Sequence, residues 1–505
     1  MRALQVPASA VLAAGLIIGV IGDVLLRAEA MPGLNMFVVI VCMGVAGVLL
    51  HRRSDDGLSR EAAVSLAVGV VFAAGLVWRG SPALRLIALG WAAVWFALPV
   101  LRAGGAWIRE AGILGYVAAL AAAGGNAAIG TPLTVAAVDW QRLSGTAERQ
   151  PSWRHAAAVA RGLLIALPLI IVFGGLFVSA DPVFAAFVTD IVRIDFETIA
   201  SHVLLTGFVA WVSAGYLHGL LRGTQLPVMG ERRPLLTITE LGTILGLLNL
   251  LFLAFVIVQF RYLFGGSDLV AVTPGLTYAE YARRGFFELV WVVGLTVPLL
   301  LVADQVLRRE RPRHEVVFRT IAGVLIVLVF AVFASAVQRM RLYQTMYGLT
   351  EARFYATAAL LTVGAVLLWF TMTVLRGRRR SFAFGTLVIS AACAIVLHVI
   401  NPDALIVRSN IARAPAGPGD IAALDAAYVA SLSADAVPVL IDELASVPRH
   451  AQPPIARRLL ERWPPGTTVP IRAWNWSEAR AHREVSANAD WLRSMAGAAV
   501  TTDAG

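Results

Sequence analysis

No lysine occurs among the 505 residues, so all 42 basic side chains are arginine. That excludes a P-loop or Schiff-base lysine outright. Charge of any kind is scarce: 15% of residues carry it, against about 25% in soluble domains. Cysteine is nearly missing. Cys42 and Cys393 both lie inside apolar runs and read as packed or lipid-facing small hydrophobes rather than as a disulfide or metal ligands. There is no GxSxG, no CxxC and no GxGxxG after a strand, and HEVVF at His314 lacks the second His of HExxH. What is abundant is hydrophobicity, at 58% of residues and a mean hydropathy of +0.74. A cytosolic enzyme, a nucleic-acid-binding domain and a disordered tail protein are excluded, and an integral membrane protein is implied.

Position sorts the charge. The formal net charge is +10, yet residues 401–505 hold 10 Arg against 11 acids, so the basic excess belongs to the first 400 residues and their loops. Apolar runs near 9–26, 34–50, 62–78 and 84–101 predict four membrane helices. Seven more are predicted near 162–179, 198–221, 237–260, 286–306, 320–337, 356–375 and 382–400. Between these sets, residues 111–138 are apolar but interrupted by GGNAAIGTP, which is poor helix material.

Loop arginines set the expected topology. With the N-terminus cytoplasmic, the inner loops 51–60 and 102–110 hold three and two Arg, and 139–161, 222–234, 307–319 and 376–381 hold four, three, five and four. Both halves obey the positive-inside rule only if 111–138 enters and leaves on one side. The sequence thus predicts an all-α polytopic membrane protein of about 13 spans, within a range of 10 to 14. Its parts are a four-span segment (1–110), a re-entrant or double short span (111–138), a cytoplasmic loop (139–161), a seven-span core (162–400) and a small extracytoplasmic helical tail (401–505). Tail helices are expected near 421–432, 434–444, 454–463 and 478–495.

Several polar residues read as helix caps. Thr277 with Glu280 has capping-box spacing, with Leu276 and Tyr281 as a hydrophobic staple, so a helix begun there and running to Val306 would project beyond the bilayer. Thr237 with Glu240 repeats the box, and Asp181 followed by Pro182 reads as an N-cap. Asp23, His202, Glu288 and His398 fall near the predicted outer helix ends, and His218, Glu240 and Asp304 near the inner ones; mid-depth polarity is limited to groups such as Asn249. Ionisable groups in the bilayer tend to mark working sites. Their distribution therefore predicts a functional surface on the outer rim, where His202, Arg261, Arg284 and Glu288 can approach one another, with Arg284 and Glu288 able to pair at i,i+4.

The blocks RGLLIALPLIIVFGGLFVSADPVF, RYLFGG, TYAEYARRGFFELVWVV, NPDALIVRSNIAR, LDAAYVASLSADAVPVL and RAWNWSEARA resemble a family of bacterial multi-pass membrane proteins, domain of unknown function 4173, akin to DUF 4153. The resemblance covers residues 155 to 495 and implies a polytopic membrane fold with an extracytoplasmic helical tail, located in the bacterial plasma (inner) membrane. It implies no catalytic residue. The favoured expectation is a non-enzymatic sensory, scaffold or envelope-partner component, needing no cofactor or metal, binding membrane lipid and an envelope or membrane protein partner. Two alternatives stand beside it: a transporter or flippase for a neutral or amphiphilic solute, using a broken helix around 124–132, and an outer-surface enzyme on a lipid-linked substrate.

Overall fold

The computed structural model describes residues 6–27, 32–53, 57–105, 107–138, 173–184, 196–223, 235–264, 286–378, 380–413 and 424–497, together with isolated positions at 162, 166 and 170. The membrane part begins with α1 (Ala8–Leu26), α2 (Leu34–His51), α3 (Arg60–Trp78), α4 (Pro82–Ala103) and α5 (Ile113–Ala136). It continues with α6 (Phe196–Arg222), α7 (Ile238–Phe264), α8 (Phe286–Val306), α9 (Pro312–Tyr347), α10 (Glu351–Thr373) and α11 (Arg380–Ile400). The tail holds α12 (Pro402–Arg413), α13 (Ala426–Ser431), α14 (Val437–Asp442), α15 (Gln452–Arg462), α16 (Trp476–Ala487) and α17 (Ala489–Gly497). Among the described residues, eleven helices, α1 to α11, are long and apolar enough to cross a membrane. The fold is all-α and polytopic.

Local chemistry explains where the spans start and stop. Ser59 caps α3 by accepting from the Ala62 N–H at 3.3 Å, and Pro82 occupies the first turn of α4, where its missing N–H is harmless. Pro312 likewise opens α9, and Gly348, at φ +72°, closes it with an N–H donated to the Gln344 carbonyl. At 36 residues α9 is about 54 Å long, well beyond a core of about 30 Å.

Two bundles form. In the first, α1 and α6 run antiparallel along a stripe of small residues. A Cβ on Gly19 would lie 2.6 Å from the Thr206 carbonyl oxygen, so the backbones meet only because Gly is there. The second bundle packs α7, α8, α9 and α10 around Leu245, Val293, Leu325, Val329 and Leu367. Helix α11 joins them: Leu387 and Ala391 belong to the core of the first, and Phe382 meets Phe370 edge-on in the second, with ring centres 5.4 Å apart. The outer face of α7 shows Leu247, Leu250, Leu251 and Val258, as a lipid-facing helix does.

Residues 111–138 differ from expectation. They form one continuous helix where a hairpin or two short spans was predicted. One of the three glycines that look like helix breakers is a contact point: Gly130 and Gly215 bring α5 and α6 within backbone reach, a Cβ on Gly130 meeting the Gly215 oxygen at 2.6 Å, while Gly124 and Gly125 face open space. The contact is closed by Thr131 Oγ1 donating to the Trp211 carbonyl (2.6 Å) and Trp211 Nε1 donating to the Ala128 carbonyl (2.7 Å). In lipid an unbroken helix keeps every backbone bond, which outweighs the roughly 1 kcal/mol propensity cost of each glycine. The broken-helix site at 124–132 disappears with the hairpin. A single pass also delivers Ala137 to the face where the tail sits, whereas loop charge assigned the next segment to the opposite face. Residues 139–161 themselves, and part of the 162–179 span, lie outside the described residues.

Tail helices fall close to the predicted stretches, with α12 as an addition. They enclose their own core around Ile406, Leu440, Ile455, Leu459, Val485 and Leu492, and the domain rests on one face of the membrane part. That face is called the tail face below, and the other the far face.

Candidate functional site

A helix end leaves four carbonyls without intrahelical partners, and in a membrane protein few other groups stand nearby to take them. On the tail face these carbonyls are met by side chains distant in sequence. Asn475 Nδ2 donates to the Leu76 and Arg79 carbonyls at the end of α3 (2.8 and 2.9 Å), and Ser477 Oγ donates to that of Trp78 (3.0 Å). The same Asn475 uses its Oδ1 to cap α16, accepting from the Glu478 N–H at 3.1 Å. Arg79 crosses to α11, where Nε donates to the His398 carbonyl (2.7 Å) and Nη2 to that of Val399 (3.3 Å). Arg413 does the same for α9, reaching the carbonyls of Gln344, Thr345 and Met346.

Asp435 stands at the centre. One carboxylate oxygen accepts from the Gly80 and Ser81 N–H groups, both at 2.8 Å, at the N-terminal end of α4, where the helix dipole favours an anion. The other accepts from Ser477 Oγ and lies 3.5 Å from Arg79 Nη1. Its backbone oxygen accepts from Asn401 Nδ2 at 3.0 Å. Asn401, at φ +56°, makes the turn between α11 and α12, a conformation that Asn tolerates better than most residues. Beside it, Arg85 donates Nε to the Arg79 carbonyl (3.1 Å) and pairs with Glu478. The side chains of Arg79, Ser81, Arg85, Asp435, Asn475 and Ser477 are all buried, and Gly80, Asn401 and Glu478 are partly so.

Asp403 is the most perturbed acid of the seam. It is fully buried; one oxygen accepts from the Ser433 N–H (3.2 Å) and Oγ, and the other has no hydrogen-bond partner among the described residues. Burial pushes its carboxyl up to about 6, the Ser433 hydrogen bond opposing that rise, while the charges of Glu351 and Asp435 add to it. Burial also raises the Tyr428 phenol, whose oxygen accepts from the Glu351 N–H at 2.7 Å, and lowers the Arg462 guanidinium, which donates to the Ser431 and Leu432 carbonyls.

The residues expected to gather on the outer rim are placed apart or lie outside the description. His202 Nδ1 meets Asp23 Oδ2 at 2.5 Å, and Asp23 also pairs with Arg27, at the tail-face end of the α1–α6 seam. Glu288 is exposed in the first turn of α8, in the other bundle. Arg261 is helical in the last turn of α7, with a side chain outside the described residues; Arg284, Thr277 and Glu280 lie wholly outside them, and α8 is described only from Phe286. Thr237 N–H donates to Glu240 Oε2 (2.7 Å) and Glu240 N–H to Thr237 Oγ1 (3.3 Å), the reciprocal pattern of a capping box. Asp181 Oδ1 accepts from the Val183 N–H at 2.7 Å.

Sequence reasoning missed the seam. Its members sit in the blocks NPDALIV, SADAVPVL and WNWSEAR, and in RGSPALR between α3 and α4, yet nothing in one block announces its partner hundreds of residues away. Arg339 was missed too: α9 continues past the predicted end of its span and buries this arginine, with Nη2 donating to Gln259 Oε1 at 3.2 Å beside Ser335.

A family model described as Domain of unknown function (DUF4153) matches residues 62–443. The match takes in Arg79, Arg85, Asp403 and Asp435 and ends before Asn475, Ser477 and Glu478. No curated protein and no solved structure matches the chain.

Proposed function

The chain belongs to the DUF4153 family, a domain of unknown function in which this member is a multi-pass membrane protein, and from that premise we propose a non-enzymatic membrane component of sensory or scaffold type. Its working surface is the tail together with the rim around it, the N-terminus is cytoplasmic and the tail extracytoplasmic. The observation that supports this reading is the Arg79–Asp435–Asn475 seam. It ties the tail to the ends of α3, α4 and α11 through buried polar contacts, so a partner that grips the tail also grips the membrane helices.

Two measurements test it. A reporter active only in the cytoplasm is expected on when fused after Arg380 and off after Ala414; the opposite pattern overturns the orientation. Co-purification of the intact protein from native membrane is expected to bring a stoichiometric protein partner that is lost on Asp435→Ala. At the rim, the double reversal Arg284→Glu with Glu288→Arg preserves an i,i+4 pair. A folded protein that loses its phenotype in that double mutant assigns Glu288 to ligand or tail contact.

A transporter for a neutral or amphiphilic solute is the second reading. It is favoured by Asn249 near the middle of α7, whose Nδ2 donates to the Ile321 carbonyl (3.1 Å) while its buried Oδ1 has no partner among the described residues. Loss of function in a folded Asn249→Leu variant, alongside a fully active Arg284/Glu288 reversal, would shift the case to that reading.

A further inference from the structure

The tail carries a cleft of about 410 Å³ beside α16, lined by the turn at Gly466 to Val469, by Trp474, and by His482, Arg483 and Ser486. That volume lies within the range of small-ligand sites. Its floor is at membrane level: the Trp474 carbonyl accepts from the Leu34 N–H, at 3.1 Å, at the start of a membrane helix. From there α16 runs about 15 Å along its axis to Ser486.

Three features of the cleft are unexplained by the packing of the tail. The ring of His482 stands edge-on to Trp463, with centres 5.1 Å apart, and its Nδ1 is buried with no hydrogen-bond partner among the described residues. Arg483 lies 5.7 Å from the Trp476 ring centre and has no carboxylate partner among the described residues, although its neighbours do: Arg480 pairs with Glu484 and Glu478 with Arg85. Below the cleft, Ile471 is 80% exposed and Trp476 47%, an apolar lip on a water-facing domain where it touches the membrane part. Aromatic residues at that height belong to the lipid interface.

We propose that this cleft binds a phosphate-bearing anionic head, held by Arg483 and His482 over Trp474, while Ile471 and Trp476 dip into the adjoining lipid. An arginine fork suits phosphate oxygens, and the His482 imidazole, which lines the cleft beside it, can add a ring N–H donor. The position at the bilayer surface favours a phospholipid as the source; a soluble phosphate ester would use the same contacts. The inference holds whichever side of the membrane the tail occupies.

The test uses the full-length protein in nanodiscs and in detergent, with phosphatidylglycerol, phosphatidylcholine and glycerol 3-phosphate as probes read by native mass spectrometry and thermal shift. The wild type is expected to retain phosphatidylglycerol at least tenfold more than phosphatidylcholine. Arg483→Ala, an exposed position that leaves the fold intact, should reduce this about tenfold, His482→Gln should reduce it less, and Arg480→Ala should leave it unchanged. Binding of glycerol 3-phosphate alone, lost in Arg483→Ala, assigns the same site to a soluble ester. Equal retention of the two lipids together with no glycerol 3-phosphate binding, or probe binding unaffected by Arg483→Ala, overturns the proposal.

Discussion

The two faces of the membrane part finish their helices by different means. On the far face the partners are mostly local: Ser59 caps α3, Thr237 and Glu240 cap α7, and Arg309 reaches Asp304 at 2.8 Å and Glu315 at 2.7 Å within one short connection, while Glu61 reaches further and accepts from the Ile108 N–H, 47 positions on. A backbone bridge between Leu236 and Leu307 ties α7 to α8 there. On the tail face the partners come from the other end of the chain, separated by as many as 399 positions, and they are buried. Exposed local pairs contribute little each and can be lost singly. Buried long-range groups leave uncompensated charges or carbonyls when one member goes, so that face stands or falls together.

Breaking the tail face at its centre should have the largest effect. Asp435→Ala strips the Gly80 and Ser81 N–H groups and Arg79 of their common acceptor, and should destabilise the junction by about 3–5 kcal/mol. Limited proteolysis of purified protein should then separate the tail from the membrane part far faster than in the wild type. The far-face counterpart, Glu315→Ala, should cost about 1 kcal/mol or less because its pair is partly exposed, and should leave that proteolysis unchanged. Comparable tail release in both variants would erase the distinction between the faces.

Acidity should act on the tail face next. Asp403 titrates at about 6 in the fold and near 3.8 when unfolded, so the folded state disfavours its charged form. The penalty is fully present above about pH 6, declines as pH falls, and is absent below about pH 4, a difference of about 3 kcal/mol. Thermal melts should therefore show this contribution as a gain in stability between pH 7 and pH 5. Asp403→Asn should stabilise the protein at pH 7 and flatten that dependence; an unchanged slope would show that other groups govern it.

A smaller effect is expected where the cap is local. Thr237→Ala removes one member of a reciprocal box at an exposed helix start and should cost about 1 kcal/mol, visible as faster hydrogen exchange in the first turn of α7 only. Exchange that also rose at the tail junction would mean the two faces communicate more strongly than their contacts imply.

The sequence was most legible where chemistry is periodic or adjacent. Apolar runs gave the spans, and Thr237 with Glu240 could be paired because a capping box is three residues wide. It misled at GGNAAIGTP, where propensity argues for a break and the bilayer enforces a helix, and Gly130 serves contact with Gly215 on a helix about eighty residues on. The Arg79–Asp435–Asn475 seam was illegible for a related reason. Each residue is ordinary in its own segment, and only the tertiary path makes them neighbours. The rim proposal gathered His202 and Glu288 by depth alone; depth carries no information about which bundle a helix joins.

Synthesis order gives the seam a further meaning. The ends of α3 and α11 reach the membrane surface when residues 475–478 have yet to leave the ribosome, and the carbonyls of Leu76, Trp78 and Arg79 wait for them. Residues 475–478 thus close helix ends made as many as 399 positions earlier. A chain cut short before Asn475 would insert its spans and still present open helix ends, the kind of locally unfinished structure that membrane quality-control proteases engage, whereas a chain that extends past Glu478 covers them.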